Sequence, residues 1–129
     1  MEPGNSRPTI LVVDDNCDIR RTVKALLELE GYAVLIADDA ETAIKLYDQA
    51  TVALLLTDVV MPKISGLELA DQLLQREPRL RILFMSGSEN VSRGFGCMAK
   101  PFTRAELIGR VGQVLESRPT TQVPRTATA

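Results

Sequence analysis

The segment Leu54-Leu55-Leu56-Thr57-Asp58-Val59-Val60-Met61-Pro62 constrains the fold more than any other. An apolar run with almost no polar alternation belongs to a strand covered on both faces, as strands of parallel α/β sheets are. The run ends at one carboxylate, Asp58, and a Met-Pro turn follows directly. An acid at the carboxyl end of a buried strand stands where open α/β sheets place their ligands. Three further stretches repeat the design. Ile10-Leu11-Val12-Val13 runs into Asp14-Asp15-Asn16, Ile82-Leu83-Phe84-Met85 into Ser86-Gly87, and Cys97-Met98-Ala99 into Lys100-Pro101. As parallel neighbours, these strands gather the carboxylates of Asp14, Asp15 and Asp58, the Ser86 hydroxyl and the Lys100 ammonium at one edge of one sheet, with Asp58 at the centre.

Helical patterns alternate with these strands. After a first strand at Thr9–Val13, Asn16 or Asp18 is placed to cap a helix whose apolar stripe is Ile19, Val23, Leu26 and Leu27. Gly31 ends it as a glycine just past a helix does. Ala33–Ala37 is the second strand, and Asp38 with Glu41 has capping-box spacing before Ala40, Ala43, Ile44 and Tyr47. Val52–Thr57 is the third strand. Ser65 with Glu68 and Ile64 with Leu69 then have capping-box and staple spacing, before a helix that buries Leu67, Ala70, Leu73 and Leu74. Arg81–Met85 is the fourth strand. Thr103 with Glu106 and Phe102 with Leu107 mark a last helix with Leu107, Ile108, Val111, Val114 and Leu115 on its buried face.

This alternation predicts a doubly wound α/β fold with a five-stranded parallel sheet. Thirteen residues separate Ser86 from Lys100, and they must also supply the fifth strand. A βαβ crossover with its helix needs at least about 10–12 residues. The helix between the fourth and fifth strands is therefore expected to be shortened or missing. Residues 1–8 read as a flexible lead-in, 9–117 as one folded domain, and 118–129, rich in Pro, Thr and Ala, as a disordered tail.

The bulk numbers exclude more than they identify. At 129 residues, the chain is long enough for one normal core. A formal net charge of −2 gives no electrostatic reason to expect nucleic acid or an anionic membrane. No apolar run approaches the roughly 20 residues of a membrane span, and the first residues carry no apolar signal core, so a cytoplasmic location is expected. Cys17 and Cys97 form neither a CxxC pair nor a disulfide framework, and Cys97 reads as packing. The sequence contains no histidine. Chemistry must run on carboxylates, hydroxyls and lysine with a hard metal. Clustered oxygen donors suit Mg²⁺, which keeps waters that a phosphate can replace. A carboxylate beside such an ion can attack phosphorus, with an ammonium and a hydroxyl to meet the charge of the transferred group.

The chain resembles a two-component response-regulator receiver domain of the CheY-like type, with strand order 2-1-3-4-5. The resemblance is carried by Val12-Val13-Asp14-Asp15-Asn16, Thr57-Asp58-Val59-Val60-Met61-Pro62 with Ser65-Gly66, Met85-Ser86-Gly87 and Lys100-Pro101-Phe102, in order from Thr9 to Leu115. It implies that Asp58 is the phosphoacceptor. Asp14, Asp15, Asp58 and the backbone carbonyl of Val60 would hold Mg²⁺. Ser86 would be the switch hydroxyl and Lys100 the phosphate partner. The phosphodonor would be a phosphohistidine on a separate sensor histidine kinase, and an unidentified downstream protein would read the result. No enzymatic turnover beyond phosphorylation and dephosphorylation of Asp58 is implied. Arg20, Arg21 and Lys24 lie on the first helix, a common kinase-docking surface in receivers, and otherwise read as a solvated face. Val60 and Ser88 flank the expected phosphate. The Ser86-Gly87 pair also resembles that of receivers attached to hybrid kinases.

Two features depart from the pattern. Position 97, where many receivers carry Tyr or Phe coupled to the switch hydroxyl, is cysteine. The connection before it is short, and in the family that region forms part of the output face. The expected function is therefore a stand-alone phosphorylation-controlled module, with a monomer favoured. The alternative is a receiver-fold interaction module that works without phosphate. A haloacid-dehalogenase-type phosphohydrolase would want an Asp-x-Asp where this chain has Asp14-Asp15-Asn16, and a flavodoxin-like cofactor binder would carry no acidic triad.

Overall fold

The computed structural model describes residues 7–87 and 96–116. The elements run β1 (Thr9–Val13), α1 (Cys17–Leu29), β2 (Ala33–Ala37), α2 (Ala40–Gln49), β3 (Leu54–Asp58), α3 (Gly66–Arg76), β4 (Arg81–Ser86), β5 (Gly96–Ala99) and α4 (Arg104–Glu116). The sheet is five-stranded and parallel, in the order β2-β1-β3-β4-β5. This is the expected doubly wound architecture. β4 ends at 86 and β5 begins at 96, which leaves nine residues for their connection. The helix expected to be shortened there falls on residues 88–95, outside the described residues, as do the lead-in to residue 6 and the tail from residue 117.

Alternate residues of each strand face opposite cores. Leu11, Val13, Leu55, Ile82 and Phe84 pack with α2 and α3 through Ala40, Ala43, Leu69, Ala70 and Leu73. Ile10, Val12, Leu54, Leu56, Leu83 and Met85 pack with α1 and α4 through Val23, Leu27, Leu107 and Val111. Every residue of β3 is buried, which explains its run of leucines. Each fully buried leucine contributes roughly 1.5–3 kcal/mol relative to an exposed one. β3 starts at Leu54 rather than Val52 because its pairing with β1 begins at Ile10↔Leu54. β4 extends one residue past Met85, because Ser86 pairs with Ala99 of β5.

Side-chain caps fix where the helices begin. The Asn16 carboxamide accepts from the amides of Asp18 and Ile19 and starts α1. Ser65 accepts from the Glu68 amide at α3. Thr103 and Glu106 cap reciprocally, side chain to backbone in both directions. α2 corrects the sequence reading. Its cap is Asp39, not Asp38, and accepts from the Thr42 amide at 2.8 Å. The two acids are adjacent, and Asp39 takes the extended cap conformation with its carboxylate over the first turn. That bond is the main reason the Asp39 carboxyl lies below its usual range. At the end of α1, Gly31 has φ +97°. The amides of Gly31 and Tyr32 return to the carbonyls of Glu28 and Leu27, the paired closure that a left-handed glycine allows.

Candidate functional site

Strand register places the acids. Val13 pairs with Thr57, Thr57 with Phe84, and Phe84 with Cys97. One step further along lie Asp14 and Asp58, level with each other across the β1–β3 seam. Backbone bonds carry the ladder through this row, from the Asp14 amide to Ala37 O at 3.2 Å and from the Val59 amide to Met85 O at 3.0 Å. The Lys100 amide donates to Ser86 O at 2.8 Å, which anchors Lys100 at the end of β5. Its side chain reaches back across the strand ends. Lys100 Nζ lies 2.8 Å from Asp14 Oδ2 and 3.3 Å from Asp58 Oδ1. The structure thus brings Asp14, Asp58 and Lys100 into direct contact. Asp15 joins them, since one carboxylate oxygen from each of Asp14, Asp15 and Asp58 lies within 4.8 Å of the others.

The two adjacent acids that follow β1 are held differently. Asp14 is fully buried, and both its carboxylate oxygens are engaged, Oδ1 by the Asn16 amide at 2.8 Å and Oδ2 by Lys100. Asp15 is exposed. Asp58 is buried, with 8% of its surface exposed. Burial is the main reason its carboxyl lies above the usual range; Lys100 opposes the rise, and the charges of Asp14 and Asp15 add to it. Burial would lower the Lys100 ammonium, but its bond to Asp14 and the charges of Asp14 and Asp58 outweigh that and raise it. Among the described residues, the Lys100 ammonium and the Arg20 guanidinium, which reaches the Asp14 carbonyl, stand against three carboxylates, a balance that still favours a further cation. The donors are hard oxygens, with neither histidine nor thiolate among them, and this set fits Mg²⁺.

The corner after Asp58 is tightly built. Thr57 Oγ1 donates to Asp58 O at 3.0 Å, and the Gly66 amide donates to Val59 O at 2.8 Å. A Cβ on Gly66 would stand 1.9 Å from Asp58 O, so only glycine lets α3 start this close to the strand end. Val60 follows the corner with an exposed side chain. Ser86 is buried at the end of β4, next to the strand that carries Asp58. Cys97 is half-buried and packs on the α2–α3 side; its carbonyl accepts from Arg110 Nη1 at 3.2 Å. Ser88 lies outside the described residues.

Two contributors escape a reading of the sequence. Thr57 leaves a signal, because a hydroxyl inside a buried apolar strand must find a partner. Arg20 leaves none. Its neighbours in sequence group it with a solvated face, yet its Nη1 donates to Asp14 O at 2.8 Å. Beside Lys100, a groove of about 460 Å³ runs along the start of α1, with Asp18 at its rim and Ile19, Val23, Pro101 and Phe102 among its lining residues. No helix among the described residues is long and apolar enough to cross a membrane.

Residues 10–112 match the family model of the response regulator receiver domain. Among curated relatives, the transcriptional regulatory protein CpxR of Klebsiella pneumoniae is 35% identical over 113 residues, covering 82% of this chain and 48% of its own length. The response regulator receiver protein CpdR of Brucella abortus is 32% identical over 114 residues, covering 82% of this chain and 95% of its own. The chain thus spans about half the length of the CpxR relatives and nearly all of CpdR. Among solved structures, the receiver domain of the hybrid histidine kinase CckA is 34% identical with a TM-score of 0.76, over 84% of this chain and 99% of that one. The match through the acidic strand ends and Lys100, together with the 2-1-3-4-5 sheet, identifies the chain as a member of the response regulator receiver domain family.

Proposed function

We propose that the chain is a phosphorylation-controlled receiver in two-component signalling, with Asp58 as the phosphoacceptor. The observation that carries this reading is the convergence of the Asp14, Asp15 and Asp58 carboxylates within 4.8 Å, with Lys100 Nζ 3.3 Å from Asp58. In the step itself, a carboxylate oxygen of Asp58 bonds to phosphorus as the P–N bond of a phosphohistidine breaks. The leaving imidazole nitrogen keeps the electron pair and takes a proton from water. Lys100 leaves its contacts with the free carboxylates to meet the charge on the transferred oxygens, and Ser86 supplies a hydroxyl to the same group. Asp14, Asp15, Asp58 and the Val60 carbonyl would hold Mg²⁺, which supplies charge neutralisation when bound. The donor is a sensor histidine kinase. Its docking on the first turns of α1 is supported by the apolar groove beside Lys100.

Phosphorylation then changes affinity for a downstream protein, because the phosphoryl group binds one conformation better than another. The protein turns over no substrate beyond its own Asp58. CpdR, matched over 95% of its own length, and the longer CpxR relatives, matched over about half of theirs, represent two arrangements within the family. The deciding experiment is intact mass after incubation with acetyl phosphate and Mg²⁺. One added phosphoryl group is expected, absent without Mg²⁺ and absent in Asp58→Asn. No addition to a folded protein would favour the phosphate-independent module, the reading that Cys97 at the usual aromatic position supports.

A further inference from the structure

The cations of α1 are not equivalent. Lys24 Nζ pairs with Glu28 at 3.0 Å one turn along, and Arg21 is exposed. Arg20 is half-buried and turns back toward β1 to reach Asp14 O. That oxygen belongs to the peptide joining Asp14 to Asp15. A peptide unit is planar, so holding its oxygen fixes the plane from which the Asp15 Cα departs. Asp14 has other anchors, at its amide and at both carboxylate oxygens. Asp15 has none of its own among the described residues. Its carboxylate makes no hydrogen bond or ion pair among the described residues. The direction of Asp15 is therefore set by its two chain neighbours. Asn16 is fixed on one side by capping α1, and Arg20 holds the peptide on the other.

We propose that Arg20 is a positioning residue of the metal site, which fixes the Asp14–Asp15 peptide and so aims the Asp15 carboxylate at the ion shared with Asp14 and Asp58. The inference rests on the Mg²⁺ reading above and extends it to a residue outside the donor set. A guanidinium suits the task, being planar, permanently charged and unable to act as a ligand. The role can be separated from simple charge because the two predict opposite signs. As a nearby positive charge, Arg20 repels a divalent cation, and its removal tightens binding by a small, salt-screened amount. As an anchor, its removal loosens Asp15 and weakens binding.

The test is a Mg²⁺ titration of the full chain, followed by amide NMR shifts of Asp15, Asn16 and Asp58 at fixed ionic strength. Thermal unfolding is recorded beside it. Arg20→Met is expected to weaken Mg²⁺ binding about 10-fold, the lower end for outer-shell support of a metal site. Arg20→Lys keeps the charge and a donor and should recover part of the loss. Arg21→Met removes the same charge without the bond and should leave binding unchanged or slightly tighter. If Arg20→Met does not fold, Arg20→Gln takes its place, with weakening again expected although a positive charge is gone. Unchanged or tighter binding in a folded Arg20 variant overturns the proposal and leaves the metal reading standing. No Mg²⁺-dependent shift in the wild-type protein overturns both.

Discussion

Along the row Val13, Thr57, Phe84 and Cys97, the sheet passes from its centre to its edge. Phe84 and Cys97 are register partners, and both pack toward α2 and α3, yet Phe84 is fully buried and Cys97 only half so. The cause is topological. β1, β3 and β4 each have two strand neighbours, while β5, among the described residues, pairs with β4 alone. The acids stand on the first kind of strand, and the residue at the usual aromatic position stands on the second. Asp14 and Asp58 thus take their geometry from a core that tolerates little change. Cys97 lies where part of the residue meets solvent. Within one sheet edge, Asp14 and Asp58 are enclosed by the fold and Cys97 only partly so.

The hardest blow to the central half is Phe84→Ala. Removing a fully buried ring leaves a cavity between the sheet and α3 and should cost about 3–5 kcal/mol in urea unfolding. A loss near 1 kcal/mol would mean that the centre is as adaptable as the edge. Gly66→Ala tests the same rigidity without touching a large side chain. The new methyl meets Asp58 O, a backbone atom that cannot swing away. About 3 kcal/mol or more should be lost as the corner moves, at the upper end of ordinary overpacking. Phosphorylation at Asp58 should fall with it. Retention of both would show that α3 can slide on the strand end.

Asp58→Asn should act in the opposite direction. The folded protein raises the Asp58 carboxyl above its ordinary value of 3.8, mainly by burial. Such a group favours folding while it is protonated, so its contribution is present below 3.8 and is lost as pH rises through the folded pKa. At neutral pH without divalent cations, ionised Asp58 therefore works against the fold. The Asp58→Asn variant should melt later than wild type at about pH 7 in EDTA, where the carboxylate of the wild type is charged. The gain should shrink as pH falls toward 3.8, and Mg²⁺ should stabilise the wild type preferentially. An earlier melt for the variant at neutral pH would mean that the ion pair with Lys100 outweighs burial.

Much of this architecture can be read from the residues, because strands buried on both faces leave unalternated runs and cap pairs leave fixed spacings. Asp14, Asp58 and Lys100 are legible because each directly follows such a run, and parallel pairing then makes them neighbours. The cap of α2 is not, since only backbone conformation separates Asp39 from the adjacent Asp38. Arg20 and the Thr57–Gly66 corner act on main-chain oxygens. Such contacts depend on how a helix start sits over a strand end, and spacing in sequence does not record that. The packing role of Cys97 is visible in its apolar surroundings, but its degree of exposure follows from the single neighbour of β5 among the described residues, which only the folded sheet displays.

The smallest expected effect lies at that edge. Cys97→Ala removes one sulfur from a half-buried position, about the scale of one buried methylene, so a loss below about 1 kcal/mol is expected. Its backbone contact is untouched, because Arg110 donates to the carbonyl, which the variant keeps. Gly96 leaves that guanidinium room, a Cβ there lying 3.0 Å from Arg110 Nη2. The strand should therefore stay in register with β4, with urea unfolding nearly superimposable on wild type. A loss of about 2 kcal/mol or more, the cost of truncating a true core side chain, would place Cys97 with Phe84 and erase the distinction between the two halves. A small loss would leave position 97 as a place where a larger side chain can be tried without disturbing the acids on the central strands.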